Sequence, residues 1–435
     1  MSCRWLVIPA LLLACAVAPA GEAGQVITLA AALKLAGADN LDVLLAHERS
    51  FEARARYHEA QQKYLPWLTP GLTYRRTDGQ AQTVQGDIIT VDKQTYGLGL
   101  SLTAEIALGD AIYESLITRR QLAAADHETQ VAHQQAFFAT RRSYIALVEA
   151  QATAHVVDQA LQQARDYAEQ VQQAQGAGLA SAGEVSRATA QVQRRQVQQV
   201  GTQADIQLVA ARLSEILRLR DGTAVRADDA ELQPMLFVNA TLPLNTLLTK
   251  ALAERPELQS IAALQQAAES QRNQVSDASL IPRFVLRGSA GGLGGGRNDD
   301  WGNFGSTSEV ALGIEWRIGP GGLFDSARQE AAASRTRQVA LQLQRVRDRI
   351  VREVQESYVM ARSASEQIAL TLTLVHTTEQ GLQLARGRRE FGIAAVLEAI
   401  SADDDLTRAR QDYVDAVSRH NQAQAALLYA IGANP

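Results

Sequence analysis

The chain has 435 residues, with 42 Lys and Arg against 47 Asp and Glu for a formal charge of −5. So mild and mixed a charge argues against a dedicated nucleic-acid binder, which carries a basic stripe, and a hydrophobic share of 46% excludes wholesale disorder. Aromatics make up only 5%. Much of the apolar share is alanine set among glutamine and arginine, which favours long helices over bulky cores.

Residues 1–24 read as a secretory signal. Arg4 gives the positive start, and Leu6 to Val17 is an apolar run too short to span a bilayer as a helix. Ala18-Pro19-Ala20 is a small-x-small cleavage site, which sets the signal peptide at 1–20. The alternative is a lipobox, Leu12-Leu13-Ala14-Cys15, with Cys15 lipidated, although Leu13 fits that pattern poorly. Either route takes the protein out of the cytoplasm. Both cysteines, Cys3 and Cys15, lie here, so cleavage after Ala20 leaves neither a disulfide nor thiol chemistry. No later stretch reaches ~18 consecutive apolar residues, so any membrane span has to be built from strands.

The rest of the chain says most things twice, at an offset of roughly 215 residues. Leu29, Leu33 and Ala36 recur as Leu244, Leu248 and Ala251. Leu65-Pro66-Trp67-Leu68 recurs as Ile281-Pro282-Arg283-Phe284, and Ser143-Tyr144 as Ser357-Tyr358. The clearest pair is Gly178-Leu179-Ala180 with Glu184, against Gly392-Ile393-Ala394 with Glu398. The domain reading is therefore a first repeat over 21–224, a linker over 225–242 and a second repeat over 243–435.

Each repeat follows one plan. A helix covers 27–63 or 243–279 and ends at a proline. Two short strands follow. A very long helix then covers 109–174 or 325–389, near 100 Å at ~1.5 Å per residue. A glycine turn reverses the chain into a last helix over 183–219 or 397–431. Ser326 with Gln329 has capping-box spacing, and Gly432 is a helix stop.

The strands alternate. Leu68, Pro70, Leu72 and Tyr74 oppose Thr69, Gly71, Thr73 and Arg75. Tyr96, Leu98, Leu100 and Leu102 oppose Thr95, Gly97, Gly99 and Ser101. Val310, Leu312, Ile314 and Trp316 oppose Ala311, Gly313, Glu315 and Arg317, and residues 283–289 set Phe284 and Leu286 against Arg287 and Ser289. Such alternation fits a soluble sheet or a membrane barrel with a wet interior. Four strands cannot close a barrel alone, so a membrane reading requires pooled copies; three copies give about 12 strands. Gly291 to Gly296 resembles a phosphate loop only superficially, because no helix opens after it; it reads as a hairpin loop.

Together the duplication, the Leu-Pro-x-Leu lead into the first strand pair and the Gly-Leu/Ile-Ala turns with their downstream Glu resemble the TolC-like outer-membrane efflux protein family, over essentially the whole chain after the signal. The resemblance implies a mainly α fold with a small β part. It implies a homotrimer whose shared 12-stranded barrel sits in outer-membrane lipid, and a helical tunnel in the periplasm. It further implies docking on a periplasmic adaptor (membrane fusion) protein and an inner-membrane pump, as the passive exit duct for drug or metal cargo. The other reading kept in view is a periplasmic coiled-coil scaffold without its own pore.

By that resemblance Gly178, Leu179, Ala180, Glu184, Gly392, Ile393 and Ala394 are adaptor-docking tips. Glu398, Ser401, Asp403 and Asp404 mark the pore constriction, with Ser401 standing where relatives carry a second acid. Arg75, Arg287, Glu315 and Arg317 face the barrel lumen. Some relatives close the gate with an Arg where Ala394 stands; Arg386, Arg388 and Arg389 lie just upstream as substitutes. The seven histidines are scattered, no metal-ligand spacing stands out and no nucleophile–base motif is present. No cofactor, no metal and no enzyme activity is expected.

Overall fold

In the computed structural model the described residues are 25–220, 223, 225–228, 232–239, 242–297, 301–390 and 396–433. Cys15, Gly392, Ile393 and Ala394 lie outside them. The elements run β1 (Gln25–Ile27), α1 (Leu29–Asp39), α2 (Leu41–Gln62), β2 (Trp67–Gln82), β3 (Ile88–Ala107), α3 (Leu108–Gly176) and α4 (Ala182–Leu217). Then come β4 (Val225–Ala227), α5 (Leu244–Glu254), α6 (Pro256–Asp277), β5 (Arg283–Arg297), β6 (Gly305–Glu315), α7 (Ser326–Glu390) and α8 (Val396–Ala430). The fold is mainly helical with a small β part. Among the described residues no helix is long and apolar enough to cross a membrane.

The long helices fall where the periodicity puts them, but the first helix of each half is broken. Asn40 interrupts the expected 27–63 helix: its side chain accepts from the backbone N–H of Asp42 at 2.9 Å and Val43 at 3.3 Å, capping α2. In the second half Arg255 is extended (φ −67°, ψ 118°), as the residue before a proline prefers, and Pro256 opens α6 where its missing N–H does no harm. Ser326 is not a cap. It is the first helical residue, and Asp325 caps α7 instead, accepting from Arg328 N–H at 3.1 Å.

The strands also exceed the expected segments. The glycine run 291–296 is not a hairpin loop but part of β5, paired to β3 from Gly291↔Gly99 to Gly296↔Gln94. Its glycines make room for rings: a Cβ on Gly294 would stand 2.6 Å from the Tyr96 ring, and one on Gly292 would enter the Phe304 ring. Arg317 lies past the end of β6, which stops at Glu315, so it is not a strand residue; its carbonyl accepts from Leu323 N–H at 3.0 Å.

The chain forms two compact units. The first comprises Met1–Ala36, Thr140–Pro234 and Gln367–Arg419. Its core joins Tyr144, Leu147 and Val148 of α3 to Leu213 and Leu217 of α4 and Val417 of α8, with Ile27 and Val225 from the short parallel pair β1–β4. A separate small cluster unites Val171, Ala188, Val396 and Ile400. The second comprises Gly37–Ala139, Met235–Glu366 and His420–Pro435. It holds the antiparallel sheet in the order β2-β3-β5-β6 and a core of Leu247, Ala251, Ile350, Val354 and Leu427.

Arg255, 3% exposed, ties that second core together. Its guanidinium donates to both Glu257 carboxylate oxygens at 2.8 and 2.6 Å, to Glu353 at 3.1 Å and to the Tyr429 carbonyl at 3.1 Å, and it lies 4.6 Å from the Tyr429 ring centre. A further bond reaches the Ala430 carbonyl at 3.3 Å. The kink between α5 and α6 thus becomes the anchor for α7 and the end of α8. Arg255→Ala removes the cation shared by Glu257 and Glu353 and a donor from the Tyr429 and Ala430 carbonyls, and we expect it to cost on the order of 3–5 kcal/mol in chemical unfolding of the protein. A loss under about 1 kcal/mol would show that the cluster is not a structural anchor.

Candidate functional site

Two places combine chemistry with exposure. The first is the sheet. Paired residues of an antiparallel sheet share a face, so the register assembles one face from Ile106, Phe284 and Ile314, then Leu286 and Leu312, then Leu68, Leu102 and Val310. Pro70 and Leu100 follow, then Leu72 and Leu98, and last Tyr74 and Tyr96. This face lies open: Leu72 is 81% exposed, Leu312 80% and Val310 74%. From Ile106 to Tyr96 it covers eleven residues of β3, matching the ~9–11 residues a tilted strand needs to cross a bilayer.

Aromatics close both ends of this band. Trp316 stands at the helix-proximal end, where its Nε1 donates to the Leu280 carbonyl at 3.3 Å; Trp67, paired with Thr103, lies on the opposite face. At the other end Tyr74 stacks on Trp301 with centroids 5.8 Å apart, and Tyr96 stacks on Phe304 at 6.1 Å. Amphipathic rings prefer this level, between hydrocarbon and headgroups. The opposite face carries Arg75, Arg287 and Glu315, all exposed, together with Glu309 and the Arg283–Glu105 ion pair.

The second place is the α3–α4 turn and the helices beside it, all in the first unit. Gly178 takes φ +78°. Leu179 N–H reaches the Ala174 carbonyl at 2.8 Å and Gly178 N–H reaches Gln175 at 2.9 Å, the two bonds of a Schellman stop. Ser181 and Glu184 then close a capping box on α4. Glu184 is therefore occupied in starting the helix, Ala180 packs on the Val171 cluster, and Leu179 projects 83% exposed.

Beside this turn the acids meet arginines. Arg388 of α7 donates to Glu398 of α8 at 2.9 Å across their own hairpin. Ser401 is exposed. Asp403 is 8% exposed and turned inward, 3.5 Å from Arg195 of α4 and 3.8 Å from Arg386 of α7. Asp404 accepts from Arg195 at 2.8 Å and from Gln191 at 2.5 Å, and Arg195 also donates to Thr407 at 2.9 Å. Two of the upstream arginines, Arg386 and Arg388, thus do hold acids; the Arg389 side chain lies outside the described residues. Asp403 and Asp404 are engaged within the chain rather than presented as an open charge run.

Sequence reasoning missed Arg195, Gln191 and Thr407. A signal for them existed. Next to the turn, the buried positions of α4 include Ala188, Gln191 and Arg195, and those of α8 include Val396, Ala399, Ile400, Asp403 and Thr407. These follow one helical seam, so a charged residue on it has to meet a partner charge. His47 also meets His133 edge to face at 5.8 Å, a pairing across two helices that in-line spacing cannot reveal.

Known proteins agree with this geometry. Residues 32–217 and 247–433 match the family described as outer membrane efflux protein. Among solved structures, VceC, an outer membrane protein from Vibrio cholerae, is 19% identical with a TM-score of 0.78, covering 93% of this chain and 96% of its own. The outer-membrane channel OprN is 18% identical at a TM-score of 0.77, covering 93% and 90%. The Campylobacter jejuni CmeC outer membrane channel is 15% identical at 0.77, covering 93% and 85%. A comparison with curated proteins gives no match. The chain belongs to the outer membrane efflux protein family, with the TolC-like fold, and is a transport protein of the outer membrane that extends into the periplasm.

Proposed function

We propose that three copies of this chain form the exit duct of a tripartite efflux pump for small-molecule cargo, drug or metal. Each copy gives β2, β3, β5 and β6 to a shared 12-stranded barrel. The observation that carries this is the open apolar face of a sheet with two unpaired edges, which lipid cannot tolerate unless neighbouring copies pair with them. Arg75, Arg287 and Glu315 then line the barrel lumen. Arg317, past the strand end, falls outside that wall.

The duct performs no catalysis and takes its energy from an inner-membrane pump. Its adaptor would dock on the tips Gly178, Leu179, Ala180 and Glu184, and on Gly392, Ile393 and Ala394; the bare Leu179 side chain beside a rigid turn supports this. Glu398 and Ser401 remain the proposed constriction. Asp404 would contribute by clasping α4 through Arg195 rather than by lining the opening, and Asp403 sits on the same packed seam instead of at the opening. The division into repeats 21–224 and 243–435 around 225–242 is kept, supported by the recurring order of helix pair, strand pair, long helix and last helix.

The deciding experiment is the mass of the detergent-extracted protein with its conductance in planar bilayers. A mass of three chains and a steady conductance are expected; a water-soluble monomer or dimer would favour a periplasmic scaffold instead. Within the sheet, Leu100→Arg should cost about 2–4 kcal/mol and deplete the outer-membrane form, whereas Ser101→Arg, one residue along, should assemble normally. Equal tolerance at both positions would contradict the lipid-facing assignment. At the tips, Arg195→Ala should widen the mouth and raise conductance while costing about 3 kcal/mol. That is the low end for a broken buried pair, because the Asp404 side chain is 32% exposed. Unchanged conductance would remove Arg195 from the clasp.

A further inference from the structure

We infer that Asp403 is a proton-binding site in the tip junction, and that proton uptake there tightens the contact of α8 with α4 and α7 rather than releasing it. This deepens the duct reading only in its functional meaning; the proton site itself stands on local geometry.

The Asp403 carboxylate is almost wholly buried, and among the described residues neither oxygen accepts a hydrogen bond of good geometry. The groups facing it are Arg195 from α4, Arg386 from α7, Tyr167 from α3 and Asp404 from its own helix. Arg195 comes no closer than 3.5 Å: its Nη2 is engaged with Asp404 and Thr407 and its Nη1 with Gln198, while its buried Nε has no partner among the described residues. Arg386 stands at 3.8 Å with a side chain 45% exposed, so water screens its charge. Asp404 is a like charge. The remaining space is a cavity of about 10 Å³ bordered by Tyr167, Gln191, Arg386, Ile400 and Asp403, room for one water. A buried anion lacking hydrogen bonds is expensive. A neutral carboxyl of the same shape carries much less of that cost.

The sign follows from linkage. Burial pushes the Asp403 carboxyl above its ordinary range, against the pull of Arg195 and Arg386. In a loosened junction the acid meets water and returns to about 3.9. The tight state therefore holds the proton more firmly, so acid favours it, and ionisation as pH rises through the tight-state value disfavours it. The Arg195–Asp404 bond persists in both protonation states, so the proton does not cut the clasp.

The test compares wild type, Asp403→Asn, Asp404→Asn and Arg386→Gln as full chains in detergent and in planar bilayers from pH 4 to 8. The amide introduced by Asp403→Asn copies the shape and neutrality of the protonated acid. The Asp403→Asn chain should melt a few degrees above wild type at pH 8 and match it at pH 4, and its conductance should stay at the acid level throughout. Asp404→Asn should keep the wild-type direction of pH dependence. Arg386→Gln should move the wild-type transition to higher pH. The proposal is overturned if Asp403→Asn keeps the wild-type pH profile, or is less stable than wild type at pH 8, up to failure to fold. An Arg386→Gln profile that does not move also counts against it. Should no variant conduct at any pH, the duct reading fails, and the melting comparison still decides the proton site.

Discussion

A backbone N–H or C=O left unpaired in hydrocarbon costs several kcal/mol, and the sheet has two edges, β2 and β6, on which no described strand pairs. That single constraint reaches through the whole chain. It makes the four strands useless in lipid unless copies join edge to edge. It also explains the glycines of β5. With Gly288, Gly292 and Gly294 on the apolar face, the rings of Tyr96 and Phe304 lie flat against the strand, closing the band with aromatics where larger side chains would push them away.

The helices answer a different demand. A helix of 69 residues such as α3 cannot bury one broad stripe against a compact core; it must pack narrowly along its length. Alanine suits this because it gives close approach without the entropy of a long side chain. Alanines accordingly fill much of the interior, from Ala124 and Ala136 to Ala154, Ala160 and Ala164 along α3 alone. Specificity then rests on a few polar knots, Arg255 with Glu257 and Glu353 in one unit and Arg195 with Asp404 in the other.

Much of this was legible in the sequence. The long helices end within a residue or two of where periodicity and glycine place them, since Gly178 and Gly432 are needed for their positive φ. The alternation at 68–75 and 95–103 gave the correct faces, because a period of two survives any change in strand length. The breaks at Asn40 and Arg255 were readable too, from an Asx cap and a helix-opening proline, yet long alanine-rich stretches masked them. Strand length was harder to see. Just beyond Tyr96 and Tyr74 both faces turn polar, over Asp92–Thr95 and Arg75–Asp78, so hydrophobic alternation is interrupted while backbone pairing continues to Ile88 and Gln82. The glycine run failed for a related reason: composition signals a loop, but three-dimensional crowding by Leu98, Tyr96 and Phe304 demands glycine within a strand.

The acids of α8 were the least legible, and the reason is physical. A run such as Asp403-Asp404-Asp405 reads as a solvated face, yet at one residue per ~100° its members point in different directions. Asp405 is exposed beside Arg408, Asp404 is half-buried against Arg195, and Asp403 sits on the packed seam. An apolar residue at position 403 would pack with Ile400 and Leu406 and stabilise the hairpin outright. The chain instead places there an acid whose nearest cations, Arg195 and Arg386, stand 3.5 and 3.8 Å away. With the proposed proton site there, the strength of the α8 contact with α4 and α7 depends on the state of one proton instead of being fixed by packing.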